Sequence, residues 1–163
     1  MPGKTQQLQI RVTPRQKTAL KRQAVAAGID VSTYVLSRVL PSEVSRFADI
    51  LRQLQVESQR KYALAELNEL LSGSPAGTLS EAIASADVSS LSPFLQNYVA
   101  AMVEQAAELK HITPPAWLRD VAPLDHPHFA TPLISLRMHL MRAAPVPFKR
   151  RNIFVDSSLG ARV

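Results

Sequence analysis

Along the first forty residues the apolar positions change period. In "QQLQIRVTPRQKTALKRQAVAAGID", residues 6 to 30, they first alternate. Leu8, Ile10 and Val12 fall on one side of an extended chain, and Gln7, Gln9 and Arg11 on the other, which predicts a short strand. At Thr13-Pro14 the pattern turns helical. Thr13 suits an N-cap, and Pro14 suits the first helical position, where its missing N–H costs nothing. Leu20, Ala24 and Ala27 then recur at three- and four-residue spacing, predicting a helix to about Ala27 that Gly28 stops. Val31, Tyr34, Val35, Val39 and Leu40 predict a second helix, capped by Asp30 and ended by Pro41. A lone strand is unstable, and forty residues cannot bury a core of their own. The pattern therefore predicts a homodimer in which two N-terminal strands pair antiparallel over four helices. Leu8, Ile10 and Val12 would face that core, and Gln7, Gln9 and Arg11 would form a polar ridge. A two-stranded ribbon fits the major groove of DNA, where Gln pairs with adenine and Arg with guanine.

The next stretch keeps a helical period. "SEVSRFADILRQLQ" opens on a Ser cap and spaces Val44, Phe47, Ile50, Leu51 and Leu54 for one face. "RKYALAELNELLSG" continues with Leu64, Leu67, Leu70 and Leu71 and ends at Gly73. "SGSPAG" is rich in turn residues and is the expected linker. A short acidic helix is expected in "TLSEAIASA", and a longer one in "SPFLQNYVAAMVEQAAELKH" on Leu95, Tyr98, Val99, Met102, Val103 and Ala106.

From residue 113 the texture is different. Seven of the twelve prolines lie from Pro114 onward, which predicts a loop-rich tail. A helix is expected at Leu133 to Met141 and a short strand at Ile153 to Val155. Trp117, Leu118, Phe129, Leu133, Phe148, Ile153 and Phe154 are costly to leave exposed. They must fold onto the helical middle or bury against another protein. The expected architecture is thus mainly α: a strand-helix-helix head at residues 1–41, a helical body at 42–112 and a proline-rich aromatic tail at 113–163.

Charge sharpens this picture. Residues 1–40 carry seven Lys/Arg against one acid, Asp30; residues 41–125 carry a net −5, and residues 126–163 a net +5. A basic head and a basic tail flank an acidic middle, and basic blocks attract polyanions such as nucleic acid. The chain has no cysteine, which excludes disulfides, a thiol nucleophile and thiolate metal sites and fits a reducing cytoplasm. No apolar run approaches the roughly 20 residues of a membrane span.

"LQIRVTPRQKTALKRQAVAAGIDVSTYVLSRVL" resembles the ribbon-helix-helix family, especially its antitoxin branch. The resemblance implies base contacts from Gln7, Gln9 and Arg11. It also implies a phosphate clamp at Val31, Ser32 and Thr33, with Lys4 and Arg15 as further phosphate contacts. Asp30 is acidic where the family often has Ser or Thr; an acid caps well but repels phosphate. The tail, with "PPAWL", "PLDHPHF" and "RRNIFV", is similar to small proteins encoded beside nucleotidyltransferase-like toxins. An antitoxin of this kind has a DNA-binding head and a tail that holds its toxin. The tail residues expected to meet that partner are Trp117, Phe129, Leu133, Phe148, Arg150, Arg151 and Phe154, types enriched at interface hot spots.

Other chemistry finds little footing. The acids Glu66, Glu69, Glu81, Asp87, Glu104 and Glu108 are spread over helices with nothing converging on them. His126 and His128, with Asp125 beside them, lack the further ligands of a zinc site. No phosphate-cradling glycine loop or nucleophile elbow is present. The "KRR" at 149–151 either meets phosphate or pairs with the acidic middle. The expectation is a non-enzymatic, cofactor-free, cytoplasmic antitoxin that binds its operator as a dimer, represses its own operon and neutralises a toxin. A stand-alone ribbon-helix-helix repressor or plasmid DNA-binding protein is the first alternative. A protein–protein adaptor that never touches DNA is the second.

Overall fold

The computed structural model describes residues 9–39 and 42–156, and the chain divides into two units, Met1–Pro41 and Ser42–Val163. In the first unit, helix α1 (Pro14–Ala26) is followed by α2 (Val31–Val39). Local chemistry sets both ends of α1. The Thr13 N–H donates to Gln16 Oε1 at 2.9 Å, and the Gln16 N–H donates to Thr13 Oγ1 at 3.4 Å, so two otherwise orphaned donors are satisfied reciprocally. At the other end Gly28 takes φ +69°, which a side chain would resist. The Gly28 N–H then reaches Val25 O and the Ile29 N–H reaches Ala24 O, both at 3.1 Å, closing a Schellman turn. The two helices meet at Ala24, 1% exposed, and at buried Tyr34, whose hydroxyl donates to Gln23 Oε1 at 3.0 Å.

Among the described residues no N-terminal strand is formed, and the expected strand-helix-helix head is corrected to two helices there. Residues 9–12 carry no regular structure, and the strands among the described residues lie far away in the chain. Alternation fixes which side chains share a face, but a strand exists only through its ladder with a neighbour. Residues 6–8 of the expected strand lie outside the described residues.

The second unit is built on α3 (Glu43–Leu54), α4 (Arg60–Gly73), α5 (Ala76–Ile83) and α6 (Pro93–Leu109). Ser42 caps α3 by accepting the Ser45 N–H, and the buried stripe Phe47, Ile50, Leu51 and Leu54 follows at helical spacing. α3 packs on α4 and α5, while α6 packs on α4. α6 is buried around most of its girth, including Val99, Ala100, Ala101, Val103 and Ala107, so its alanines let neighbouring helices approach closely. "SGSPAG" is a corner rather than a boundary. The Lys110 ammonium donates to Ser72 O and Ser74 O, each at 2.9 Å, and so satisfies carbonyls at the end of α4.

The proline-rich stretch closes over this bundle. A 3-10 turn (Ala116–Arg119) is followed by β1 (His128–Phe129), α7 (Ile134–Ala143), α8 (Val146–Lys149) and β2 (Ile153–Phe154). β1 and β2 pair in parallel, His128 opposite Ile153 and Phe129 opposite Phe154, with α7 and α8 as the crossover. Leu118, Val121, Phe148, Ile153 and Val155 join the same buried cluster as α3 to α6. Of the two destinations open to the large apolar side chains of the tail, folding onto the middle is the one the chain takes for Phe148 and Ile153.

Candidate nucleic-acid interface

α1 carries Arg15, Lys17, Lys21 and Arg22 and no acid, and all four are exposed. Arg15 and Arg22 are seven residues apart and share a face; Lys17 and Lys21, four apart, share another. Gln9 and Arg11 are exposed on the segment that leads into the helix. Lys4 and Gln7 lie outside the described residues. The head thus presents cations on more than one side of a single helix, together with polar groups ahead of its capped start.

The start of α2 is different in kind. A helix N-terminus offers free N–H groups and a positive dipole end to an anion. Here the Asp30 carboxylate fills that role from within: Oδ1 accepts the Thr33 N–H at 3.0 Å, and Oδ2 accepts the Thr33 hydroxyl. Ser32 is exposed, while Val31 and Thr33 are half-buried. At the far end of α2 the Arg38 guanidinium lies 5.5 Å from the centre of the Tyr34 ring. Ile10, Val12, Val25, Ile29, Leu36 and Val39 are exposed. The head therefore shows water a wide apolar surface beside its cations.

The tail residues expected to meet a partner are not gathered on one surface. Phe148 is buried and sets its edge against Tyr98, ring centres 5.5 Å apart. Trp117 is half-buried and donates its indole N–H to Ile83 O at 2.8 Å. Phe129 and Phe154 stack across the two strands at 4.9 Å, with the Arg137 guanidinium 5.0 Å from the Phe129 ring. Arg151 is buried; its Nη2 donates to Leu118 O and its Nη1 to Val121 O, and Nη2 also pairs with Glu104. Arg150 is exposed and pairs with the other Glu104 oxygen at 2.8 Å. Leu133 is exposed. Of the two readings of "KRR", pairing with the acidic middle is the one Arg150 and Arg151 take, and Glu104 is the acid that receives both, which its place among six spread acids did not single out.

Two titrations are shifted. The Asp87 carboxyl is held below its ordinary value by hydrogen bonds from Ser89, whose N–H reaches Oδ1 at 2.9 Å. Burial pushes the Tyr98 phenol up. Neither lies in the head. The His128 ring packs on Phe94, centres 4.3 Å apart. Among the described residues no group of three or more His, Asp or Glu side chains is placed to hold a metal ion. Among them, too, no helix is long and apolar enough to cross a membrane.

Residues 2–72 match the family model of NikA-like proteins, described as mobilization protein NikA. The match spans the head, α3 and all but the last residue of α4. It supports the ribbon-helix-helix resemblance of the head, and the family matched is one of mobilization proteins and not of antitoxins. No curated protein and no solved structure matches the chain.

Proposed function

We propose that this chain is a non-enzymatic DNA-binding protein that works in DNA mobilization, gripping DNA with its basic head as a homodimer. One observation carries the reading: the segment similar to mobilization proteins begins with an acid-free helix whose four cations all face solvent. Cations so placed neutralise phosphates and release counterions, the sequence-independent part of DNA affinity. Exposed Gln9 and Arg11 are the side chains we assign to base contact, with Gln7 beside them in sequence; Arg15, Ser32 and Thr33 are those we assign to phosphate. The exposed Val25, Leu36 and Val39 favour a second head as their cover, because a two-helix unit this small buries too little by itself. The reading assigns no reaction to the chain.

The toxin-neutralising role that the antitoxin resemblance implies draws no support from the family match, and the burial of Phe148 and Arg151 in the chain's own fold removes two of its anchors. A repressor that binds its operator through the same head remains the second reading, because the same exposed Gln9 and Arg11 serve either role. Fluorescence anisotropy of the full chain on DNA from its own upstream region, with excess unrelated competitor at two salt concentrations, tests the shared core of both. Tight, competitor-resistant binding that is lost in Gln9→Ala/Arg11→Ala is expected. Equal binding by that double variant would remove the base-reading role, and no binding at low salt would remove the DNA reading altogether.

A further inference from the structure

The second unit carries two helix faces that nothing in its own core uses. On α7, Ile134, Met138 and Met141 fall at i, i+4 and i+7 and form one stripe, exposed by 76%, 68% and 45%. Arg137 and Arg142 flank it, both exposed, and α7 contains no acid. Only Leu140 of that helix is buried. On α4, Tyr62, Glu66 and Glu69 stand at the same i, i+4, i+7 spacing along the edge of the face that Ala63, Leu67 and Leu70 bury. Tyr62 is 79% exposed, Glu69 is exposed, and Glu66 is half-buried with Arg46 at 3.7 Å.

We propose that the α7 stripe of one copy docks on the α4 ridge of a second copy of this chain. Charge selects this occupant. The α7 face is apolar with an arginine on each side, and the α4 face is an aromatic ring followed by two carboxylates at matched spacing. Laid parallel in register, Tyr62 meets Ile134 and Met138, and Arg137 and Arg142 meet Glu66 and Glu69 in turn. Two α7 stripes facing each other would set arginine against arginine, which disfavours that pairing. The contact therefore joins unlike faces: each copy offers both, so two copies exchange them reciprocally about a two-fold axis where the geometry closes and add head to tail where it does not. It uses no residue of the basic head, and it stands whether or not the DNA reading does.

The chain has no cysteine, which makes the test clean. Full-length Tyr62→Cys and full-length Met138→Cys are mixed and treated with a short bis-maleimide. A two-chain product that needs both variants, and that falls several-fold when Arg137→Glu is added to the Met138→Cys chain, is expected. Equal product from either variant alone, or none from the mixture, would overturn the proposal. So would efficient cross-linking within single chains of a dilute Tyr62→Cys/Met138→Cys double variant. Sedimentation velocity gives the second readout: wild type grows with concentration beyond the size of Met138→Glu, and identical profiles at every concentration would also overturn it. Both substituted side chains are exposed, so circular dichroism of the variants should match wild type.

Discussion

Arg151 Nη2 lies 3.4 Å from Glu104 Oε2, while Arg150 Nη1 lies 2.8 Å from the other carboxylate oxygen, so one acid on α6 holds two consecutive arginines from the far end of the chain. The two arginines are not equivalent. The Arg151 side chain is 7% exposed and also donates to Leu118 O and Val121 O, so it ties the 3-10 turn, the following loop and β2 to α6. The Arg150 side chain is 62% exposed. Its Nε aside, the Arg151 guanidinium exchanges water for fixed acceptors; Nε itself is buried without a partner.

Removing Glu104 should therefore cost far more than removing Arg150. Glu104→Ala leaves a buried guanidinium uncompensated, a loss of about 3 kcal/mol or more. Arg150→Ala removes a solvent-screened partner and should cost under about 1 kcal/mol. Urea unfolding of the two variants measures both. Equal losses would mean that Arg151 is satisfied by its two carbonyls alone.

Phe148 separates a core role from a surface one. It is 2% exposed, packed edge-on to Tyr98 and part of the cluster that joins α6 to α8. Phe148→Ala should destabilise the second unit by about 3–5 kcal/mol. Leu133→Ala, at an exposed site, should change stability by less than about 0.5 kcal/mol. Thermal unfolding monitored by circular dichroism compares them; an unaffected Phe148→Ala variant would return that ring to the surface.

What was legible in the sequence was what local chemistry decides. The Thr13 cap, the Gly28 turn, the Ser42 cap and the buried stripe of α3 follow from neighbours within four residues, and the structure has them all except that Val44, expected at the head of the stripe, is exposed. The strand at residues 6–12 was not decidable in the same way, because alternation is silent on what completes the ladder. The destination of the tail was equally non-local. Phe148 meets Tyr98 fifty residues upstream, and Arg151 meets Glu104 at a similar separation, so composition could show that these groups need cover but not whose. The basic character of the head was plain, whereas the Asp30–Thr33 pairing that fills the start of α2 emerges only from side-chain geometry.

Tyr98 gives the second unit an alkaline limit. Burial favours the neutral phenol, so the folded-state value sits above the ordinary one. The stability tied to this shift is fully present below the unfolded-state value, roughly 10, and is lost as pH rises through the higher folded-state value. Melting temperature should thus fall more steeply above about pH 10 for wild type than for Tyr98→Phe, with the two lines parallel at neutral pH. Parallel lines throughout would show that the hydroxyl stays hydrated in the fold.

Asp30 should restrain DNA binding while it holds the head together. Its carboxylate accepts both the Thr33 N–H and the Thr33 hydroxyl, so the positive end of α2 is already satisfied by a charge of phosphate-like sign. Asp30→Asn keeps an N-cap oxygen and removes the charge. If α2 begins against the DNA backbone, one repulsion near a phosphate is lifted, worth about 1 kcal/mol or roughly fivefold in affinity at low salt. The gain should shrink as salt screens it. The helix meanwhile gives up about 0.3–1 kcal/mol of charge–dipole stabilisation, so tighter binding and a slightly less stable head should arrive together. Anisotropy titrations of wild type and Asp30→Asn at two salt concentrations, beside their melting curves, check the pair of effects. Unchanged affinity with a lowered melting temperature would place the start of α2 away from the DNA and leave the cations of α1 as its contact.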